Sequence, residues 1–342
     1  MAIYLLNDYG AAAHPAVISA ITDLGDREYA GYGMDELSAE AASTIKGLTG
    51  RPDADVHFLI GGTGANLTAL AAFLRSTEAV ISPSEGHINV HESGAIEASG
   101  HKILTVPTVN GKAAAADVRE MAKLHTDEHT VIPRLVFISQ STEYGTVYTL
   151  DELRGFREVC DELGLYFYLD GARLGYAIAA EPEASFKAIA ELTDAFYIGG
   201  TKNGLLMGEA MVISNDALKK GFRNSMKQRG SLLAKGFLIG AQFSAILKDG
   251  LYIGLADHAN KMANLLTSEL KAIGVEFALD GMTNQIFPVV PTAVKDRLEM
   301  DILLIHWGKY AEGLETLRLT TTWQTTEETV AAVVDIFKAA LG

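Results

Sequence analysis

Short apolar runs alternate along the chain with longer stretches whose apolar residues recur at helical spacing. This alternation is typical of parallel strands joined by crossover helices, so it predicts an α/β fold with a mostly parallel, seven-stranded sheet. The predicted strands are VHFLI (56–60), EAVISP (78–83), KILTVP (102–107), RLVFIS (134–139), LYFYL (165–169), AFYIG (195–199) and AMVIS (210–214). Helices are predicted for ANLTALAAFLR and for TLDELRGFREVCDELG, where Thr149 and Glu152 have the spacing of a capping box.

The order of elements changes after about residue 245. A long helical stretch, DHANKMANLLTSELKAIG, is followed by shorter strand-like runs such as NQIFPVV and TLRLTTTW. We therefore predict a large α/β domain over residues 1–245 and a smaller α+β domain over residues 246–342, with the N-terminal segment free to pack on the smaller one.

Composition narrows the class of protein. The 342 residues are 48% hydrophobic and 21% charged, which suits a large globular enzyme. A net charge of −15 and the lack of a basic cluster argue against nucleic acid as a partner. The single cysteine, Cys160, allows no intrachain disulfide. No stretch has the length and apolarity of a membrane span or signal peptide, so we expect a cytoplasmic protein with no membrane partner.

Two motifs carry the strongest chemical signal. In YFYLDGARLG and DAFYIGGTKNG, Asp170 and Lys202 each follow an apolar run. An acid and a lysine at the carboxyl ends of neighbouring strands are the groups that pyridoxal phosphate needs: Lys202 for the Schiff base and Asp170 for the pyridine nitrogen. The glycines before Lys202 would let the backbone approach the cofactor closely.

The GGTGAN segment, Gly61 to Asn66, is the candidate phosphate cradle. It lies between a predicted strand and a predicted helix, where free backbone N–H groups bind a dianion, and Thr63 adds a hydroxyl. A dinucleotide fingerprint fits poorly, because Leu67 occupies the third glycine position. A plain strand-to-helix turn is the alternative interpretation.

His87, in SEGHINVHESG, follows the second predicted strand and could stack on the pyridine ring. A solvated loop histidine is the alternative. The short spacing to His91 and Glu92 raises the possibility of a metal site, but no clear third ligand accompanies the two histidines, so we predict none. Glu92 is better suited to fixing an imidazole.

Together LDGAR, GGTKNG, the G-T-G-A-N turn and the histidine after the next strand resemble the threonine aldolase/β-eliminating lyase family. The resemblance runs over essentially the whole chain, from NDYGAAAHP and GYGMDE to TLRLTTTWQTTEETV. It implies fold type I of the pyridoxal phosphate enzymes. It also implies cleavage of a β-hydroxy-α-amino acid, L-threonine or L-allo-threonine, to glycine and acetaldehyde.

The resemblance assigns roles by position. Lys202 would carry the cofactor, Asp170 would pair with its ring nitrogen and His87 would stack on the ring. The remaining cofactor contacts would come from Gly62, Thr63, Gly64, Arg173, Thr201 and Arg229, of which Arg229, with Lys227, would reach a neighbouring subunit's phosphate. The substrate carboxylate would be bound by Arg173 and Arg318. Asn7 would be a further substrate-binding residue, on the N-terminal segment that enters the site with Asp8. Active sites shared between two chains imply a homodimer or homotetramer.

One departure from the family pattern bears on the substrate. Many relatives have a histidine after the strand equivalent to RLVFIS, where this chain has Glu143, with Tyr144 beside it. A carboxylate can serve as the base that removes the β-hydroxyl proton. The change leaves open a phenylserine-type aldolase, and the shared residues leave open a β-eliminating lyase or an aminotransferase. Outside this cofactor class, a nucleotide-binding oxidoreductase or a silent ligand-binding relative remains an alternative.

Overall fold

The computed structural model describes residues 2–342 as a large seven-stranded sheet covered by helices and a smaller, mostly antiparallel sheet. The strands are β1 (Ile3–Tyr4), β2 (Asp55–Leu59), β3 (Glu78–Pro83), β4 (Ile103–Val106), β5 (Ile132–Ser139), β6 (Tyr166–Asp170), β7 (Ala195–Gly199), β8 (Glu209–Ile213), β9 (Glu276–Phe277), β10 (Gln285–Ile286), β11 (Pro288–Pro291), β12 (Ile302–Leu303), β13 (Ile305–Ala311) and β14 (Leu314–Thr320).

The helices connect these strands and cover both faces of the large sheet. They are α1 (Pro15–Thr22), α2 (Glu36–Thr49), α3 (Gly62–Phe73), α4 (His87–Val90), α5 (Ala95–Ala98), α6 (Ala115–Lys123), α7 (Leu150–Leu163), α8 (Leu174–Ala180), α9 (Phe186–Leu192), α10 (Asp216–Lys219), α11 (Phe222–Gln228), α12 (Phe237–Ile246), α13 (Leu251–Ala272), α14 (Thr292–Asp301) and α15 (Glu327–Leu341), with a 3-10 turn at Lys248–Gly250. Within residues 2–342, no helix is long and apolar enough to cross a membrane.

The seven predicted strands of the large sheet are all present, within two residues of their predicted bounds. Their order is β2-β8-β7-β6-β5-β3-β4, and β8 runs antiparallel to both of its neighbours. Along β6 and β7, successive side chains enter opposite cores: Phe167 and Phe196 pack on one face of the sheet, Tyr168 and Tyr197 on the other. Burial of both faces explains why these strands appear in the sequence as continuous apolar runs.

Local signals set the helix ends. The predicted capping box of α7 is present, because Thr149 Oγ1 accepts from Glu152 N at 3.3 Å and Glu152 Oε2 accepts from Thr149 N at 2.7 Å. The helix predicted from Ala65 begins earlier, at Gly62, inside the glycine turn. The long C-terminal helix α13 also begins earlier than predicted, at Leu251. Predicted strand NQIFPVV is divided into β10 and β11 just before Pro288, which has no N–H for the ladder.

A second core lies around the smaller sheet. It is built from β10, β11 and β14 with α13, α14 and α15, and its largest buried side chain is Phe337. Leu5 from the N-terminal segment belongs to the same core, and β1 pairs in parallel with β12. The first residues of the chain therefore pack on its C-terminal part. The segment that follows β1 lies at the edge of the large sheet, where Asp8 pairs with Arg173.

Candidate active site

Asp170 and Lys202 lie at the same edge of the large sheet. Asp170 is the last residue of β6, and Lys202 follows the end of β7 at Gly199. Because β6 and β7 are parallel neighbours, their carboxyl ends meet at one edge. Both side chains line a cavity of about 210 Å³. The structure thus brings together the acid and the amine that the sequence singles out.

Glycines let the two strand ends touch backbone to backbone. A Cβ on Gly171 would lie 1.8 Å from the carbonyl oxygen of Tyr197, and one on Gly199 would lie 2.5 Å from that of Ala172. Any side chain at these positions would push the strand ends apart. The spacing between Asp170 and the Lys202 loop therefore depends on both glycines.

Three donors hold the Asp170 carboxylate, which is 3% exposed. Oδ1 accepts from Ala172 N at 2.9 Å and from the Tyr197 hydroxyl, and Oδ2 accepts from Asn66 Nδ2 at 2.8 Å. Tyr168 donates to Asn66 Oδ1 at 2.9 Å, which fixes the orientation of that amide. Sequence reasoning missed Tyr197 and placed Asn66 only in the phosphate cradle, since neither carries a charge and Asp170 is distant from both in the chain.

His87 is fixed by Glu92. His87 Nδ1 lies 2.7 Å from Glu92 Oε1, which also accepts from Asn66 Nδ2 at 2.8 Å. Burial works against the charged imidazole, but the hydrogen bond to Glu92 and the nearby charges of Glu143 and Asp170 raise the pKa of His87. Burial raises the pKa of Glu92 as well. The ring is thus held at the cavity wall by one network that also includes Asp170.

The glycine turn forms the N-terminus of α3. Gly61 is the N-cap and offers no side chain to the helix, and the first helical N–H to reach a carbonyl is that of Ala65, which donates to Gly61 O at 2.9 Å. The N–H groups of Gly62, Thr63 and Gly64 precede it and are available to an anion. A Cβ on Gly62 would lie 3.0 Å from the Tyr197 hydroxyl, so any larger residue here would make that hydroxyl give way by a few tenths of an ångström.

Lys202 lies where two cavities meet. The second cavity, of about 640 Å³, shares Tyr9, His87 and Lys202 with the first. Burial, followed by the charge of Arg173, lowers the pKa of the Lys202 amine. A lysine with a lowered pKa is more readily deprotonated, which is the form that reacts with an aldehyde.

Arg173 is already engaged by an acid. Its Nε donates to Asp8 Oδ2 at 2.7 Å and its Nη2 donates to Asp8 Oδ1 at 3.0 Å, and both side chains are buried. Burial alone would raise the pKa of Asp8, but Arg173, Lys202 and the amide of Asn284 lower it to about 2. Two of the three nitrogens of the guanidinium are thus held by Asp8, although Arg173 still lines the larger cavity.

Arg318 is placed differently. It projects from β14 into the larger cavity, and its guanidinium carbon lies 5.1 Å from the centre of the Trp307 ring. Its Nε is buried and has no partner among residues 2–342. Burial and the charge of Arg173 lower its pKa. Arg318 is therefore the guanidinium best placed to receive a carboxylate.

Glu143 and His91 are among the groups lining the larger cavity that can accept a proton. Glu143, which the sequence analysis singled out, is 8% exposed and lines it. His91 lines it too, with its ring 5.5 Å from that of His87. Burial lowers the pKa of His91, with Glu143 acting in the opposite direction and His87 in the same direction. The sequence analysis considered His91 as a metal ligand and missed its place in this cavity.

Other predicted residues lie apart or at the margin. Asn7 Oδ1 accepts from Tyr9 N at 3.0 Å, and Asn7 lines a separate cavity with Tyr4. Arg229, at the end of α11, lines neither of the two adjoining cavities. Thr201 lines the smaller one, where its hydroxyl accepts from Gly208 N at 3.1 Å. Tyr9 and Trp307 line the larger cavity although no sequence signal indicated them.

The smaller cavity fits pyridoxal phosphate. It joins a lysine of lowered pKa, a buried carboxylate, an imidazole and a glycine-lined helix N-terminus that a Cβ would obstruct. These four groups match what the cofactor needs: an amine to link to, a carboxylate for the ring nitrogen, an imidazole for the ring face and N–H groups for the phosphate. Fold and site together define a pyridoxal phosphate enzyme of fold type I.

Comparison with known proteins gives the family. The sequence profile described as "Beta-eliminating lyase" matches residues 11–293, and the chain belongs to that family. The chain is 43% identical to a Leishmania major threonine aldolase structure, with a TM-score of 0.97 over 99% of this chain and 100% of that one. It is 35% identical over 280 residues to the low specificity L-threonine aldolase of Pseudomonas aeruginosa, covering 80% of each. With that of a Pseudomonas sp. strain the identity is 38% over 263 residues, 75% of each.

Proposed function

We propose that the chain is a pyridoxal phosphate-dependent aldolase that cleaves L-threonine or L-allo-threonine to glycine and acetaldehyde. The observation that carries the proposal is the position of Lys202, between a cavity with a phosphate cradle and a cavity that holds Arg318 and Glu143. The three relatives are named as threonine aldolases, which supports it. Confirmation of the family thus favours the aldolase over the oxidoreductase alternative.

The cofactor would be held by residues of the smaller cavity. Gly62, Thr63 and Gly64 would bind the phosphate through their N–H groups, Asp170 would pair with the ring nitrogen and His87 would cover a ring face. When bound, pyridoxal phosphate supplies an electron sink for negative charge that develops at the substrate's Cα. Lys202 would hold the cofactor through its amine.

The larger cavity would bind and orient the substrate. Arg318 can grip a carboxylate through two parallel hydrogen bonds, and this anchor fixes rotation about the bond between Cα and the amino nitrogen. With the carboxylate fixed, the Cα–Cβ bond can be held perpendicular to the plane of the electron sink. The arginine therefore selects which bond at Cα breaks.

Glu143 would accept the proton of the β-hydroxyl as the aldehyde forms. Its carboxylate faces the cavity, and general bases of this kind contribute roughly 100- to 10,000-fold to a rate. His91 is the second candidate, since its lowered pKa keeps the imidazole neutral and able to accept a proton. Glu143→Gln and His91→Asn separate the two, because the true base is the one whose loss collapses kcat for threonine.

A second substrate class is an arylserine such as phenylserine. Tyr9, Tyr144 and Trp307 line the larger cavity, whose volume of about 640 Å³ exceeds what a methyl side chain needs. An aromatic wall favours an aromatic side chain through stacking. Release of benzaldehyde from phenylserine, compared with acetaldehyde from the two threonines, ranks the classes by kcat/KM.

The first test is acetaldehyde release from L-threonine and L-allo-threonine by the holoenzyme. Lys202→Ala should abolish release, whereas Lys261→Ala, which changes an exposed lysine on α13, should leave it intact. 2-Oxobutanoate with ammonia would indicate β-elimination instead, and 3-hydroxy-2-oxobutanoate would indicate transamination. Either product in place of the aldehyde refutes the aldolase.

A shared active site is part of the same proposal. In the smaller cavity, Lys202 is the single lysine or arginine among the lining residues of this chain, so the phosphate dianion would gain from a cation of a second copy. Arg229 and Lys227 are the candidates. Mixing inactive Lys202→Ala with inactive Arg229→Ala should restore part of the activity in a homo-oligomer with shared sites. No recovery in mixed oligomers contradicts sharing.

A further inference from the structure

Trp307 reaches the larger cavity from the strand that pairs with the strand of Arg318. β13 pairs antiparallel with β14, and Ile305 lies opposite Arg318. Residues two apart on a strand point to the same face, so Trp307 lies on the same face as Ile305, and both line the cavity. This placement brings the indole beside the arginine, just before the register of the two strands shifts between His306 and Gly308.

Aromatic neighbours hold the indole in place. The Phe287 ring packs edge-on at 5.3 Å between centroids, and the Tyr144 ring does the same at 5.6 Å. Phe287 is fully buried, and the Tyr144 ring packs against it at a tilt, with 5.8 Å between centroids. Three aromatic rings in mutual contact leave the indole little rotational freedom. Its face is therefore a fixed surface.

Arg318 lies over that surface. Its guanidinium carbon is 5.1 Å from the ring centre, within the range of a cation–π contact. Its situation contrasts with that of Arg173, which Asp8 grips through two nitrogens. No carboxylate pairs with Arg318 within residues 2–342, and its Nε lacks a partner. The indole is thus the contact that determines where the guanidinium sits.

We propose that Trp307 is the positioning residue for Arg318, and that it orients the substrate carboxylate through that arginine. The inference rests on the proposed function. An aromatic face attracts a guanidinium without neutralising it, so the arginine stays available to an incoming carboxylate. An acid in the same place would compete with the substrate.

The geometry predicts a selective loss when the indole is removed. Trp307→Leu should raise the dissociation constant of the holoenzyme for glycine by roughly 3- to 30-fold, the range of a cation–π contact. Trp307→Phe, which keeps a ring, should lose less. Affinity for 1-amino-2-propanol, which is threonine without its carboxylate, should not change, because that ligand offers nothing to Arg318.

A double-mutant cycle separates action through Arg318 from a general role in packing. In an Arg318→Leu background, Trp307→Leu should have no further effect on glycine binding. Tryptophan fluorescence gives a readout independent of turnover: the chain has two tryptophans, and Trp323→Phe leaves Trp307 as the single tryptophan. Glycine should change its emission, and 1-amino-2-propanol should not.

Additive effects in the Arg318→Leu background, or equal losses for both ligands, would overturn the inference. Since glycine binding needs no bond cleavage, a holoenzyme that binds glycine through Arg318 and Trp307 but releases no aldehyde sinks only the proposed function. A holoenzyme that binds no amino carboxylate overturns both.

Discussion

The buried ion pair of Asp8 and Arg173 ties the N-terminal segment to the loop after β6. Asp8→Asn should destabilise the protein by about 3–5 kcal/mol, because it leaves the Arg173 guanidinium buried without a counter-charge. Chemical denaturation at pH 7 measures this. Asp53→Asn, in the exposed pair with Arg51, is the control and should change little.

Because of the same ion pair, we expect the free energy of unfolding to decrease at acid pH. The pKa of Asp8 is depressed in the fold from 3.8 to about 2, so its contribution is present above pH 3.8 and is lost as the pH falls toward 2. A depression of this size corresponds to about 2 kcal/mol. Asp8→Asn should remove this part of the pH dependence, and an unchanged acid limb would show that Asp8 is not its source.

The buried carboxyl of Glu209 should give the folding stability a pH dependence of the opposite sign. Burial raises the pKa of this carboxyl from 4.5 to about 8, with Asp170 raising it and Lys202, Thr201 and the N–H of Gly200 lowering it. The folded state therefore binds the proton more tightly than the unfolded state, and stability falls as the pH rises from about 4.5 to 8. In cofactor-free protein, Glu209→Gln should gain stability over wild type as the pH rises through this window. A gain that is constant with pH would contradict the assignment.

At the scale of elements, we expect the N-terminus of α3 to determine the affinity for pyridoxal phosphate. Gly62→Ala would place a Cβ 3.0 Å from the Tyr197 hydroxyl, which donates to Asp170, whereas a Cβ at Gly61 meets nothing within 4 Å. Gly62→Ala should therefore weaken pyridoxal phosphate binding by about tenfold or more, equivalent to ~1.4 kcal/mol, and Gly61→Ala much less. Equilibrium titration with the cofactor measures both, and equal effects would contradict a cradle that depends on Gly62.

Elements buried on both faces could be predicted from the sequence, and contacts between distant segments could not. Continuous apolar runs identified every strand of the large sheet, and the ends of β6 and β7 then located Asp170 and Lys202. Trp307 escaped prediction because nothing in the pattern of IHWGKYA indicates that its strand pairs with the strand of Arg318. The Asp8–Arg173 pair escaped because it joins segments far apart in sequence, and the role proposed for Arg229 requires a second copy, which one sequence does not describe.

At the scale of the molecule, the two ends of α13 belong to different hydrophobic cores. Tyr252, near its start, belongs to the core of the large sheet, whereas Leu266 and Leu270 belong to the core around Phe337. We therefore propose two units, as the sequence predicts, with the change of core falling inside α13 rather than at residue 245. The site lies between them, since Lys202 comes from one and Arg318 from the other.

Two core substitutions test this division. Phe337→Ala empties a fully buried site in the smaller core, and Phe167→Ala does so in the larger one; each should cost about 3–5 kcal/mol. If the units are distinct, Phe337→Ala should speed hydrogen exchange mainly in α13, β14, α15 and β1, because β1 pairs with β12 and Leu5 packs in the smaller core. Phe167→Ala should act mainly on β5, β6 and β7. Equal acceleration everywhere by both variants would mean a single cooperative unit, in which Arg318 could not move independently of Lys202.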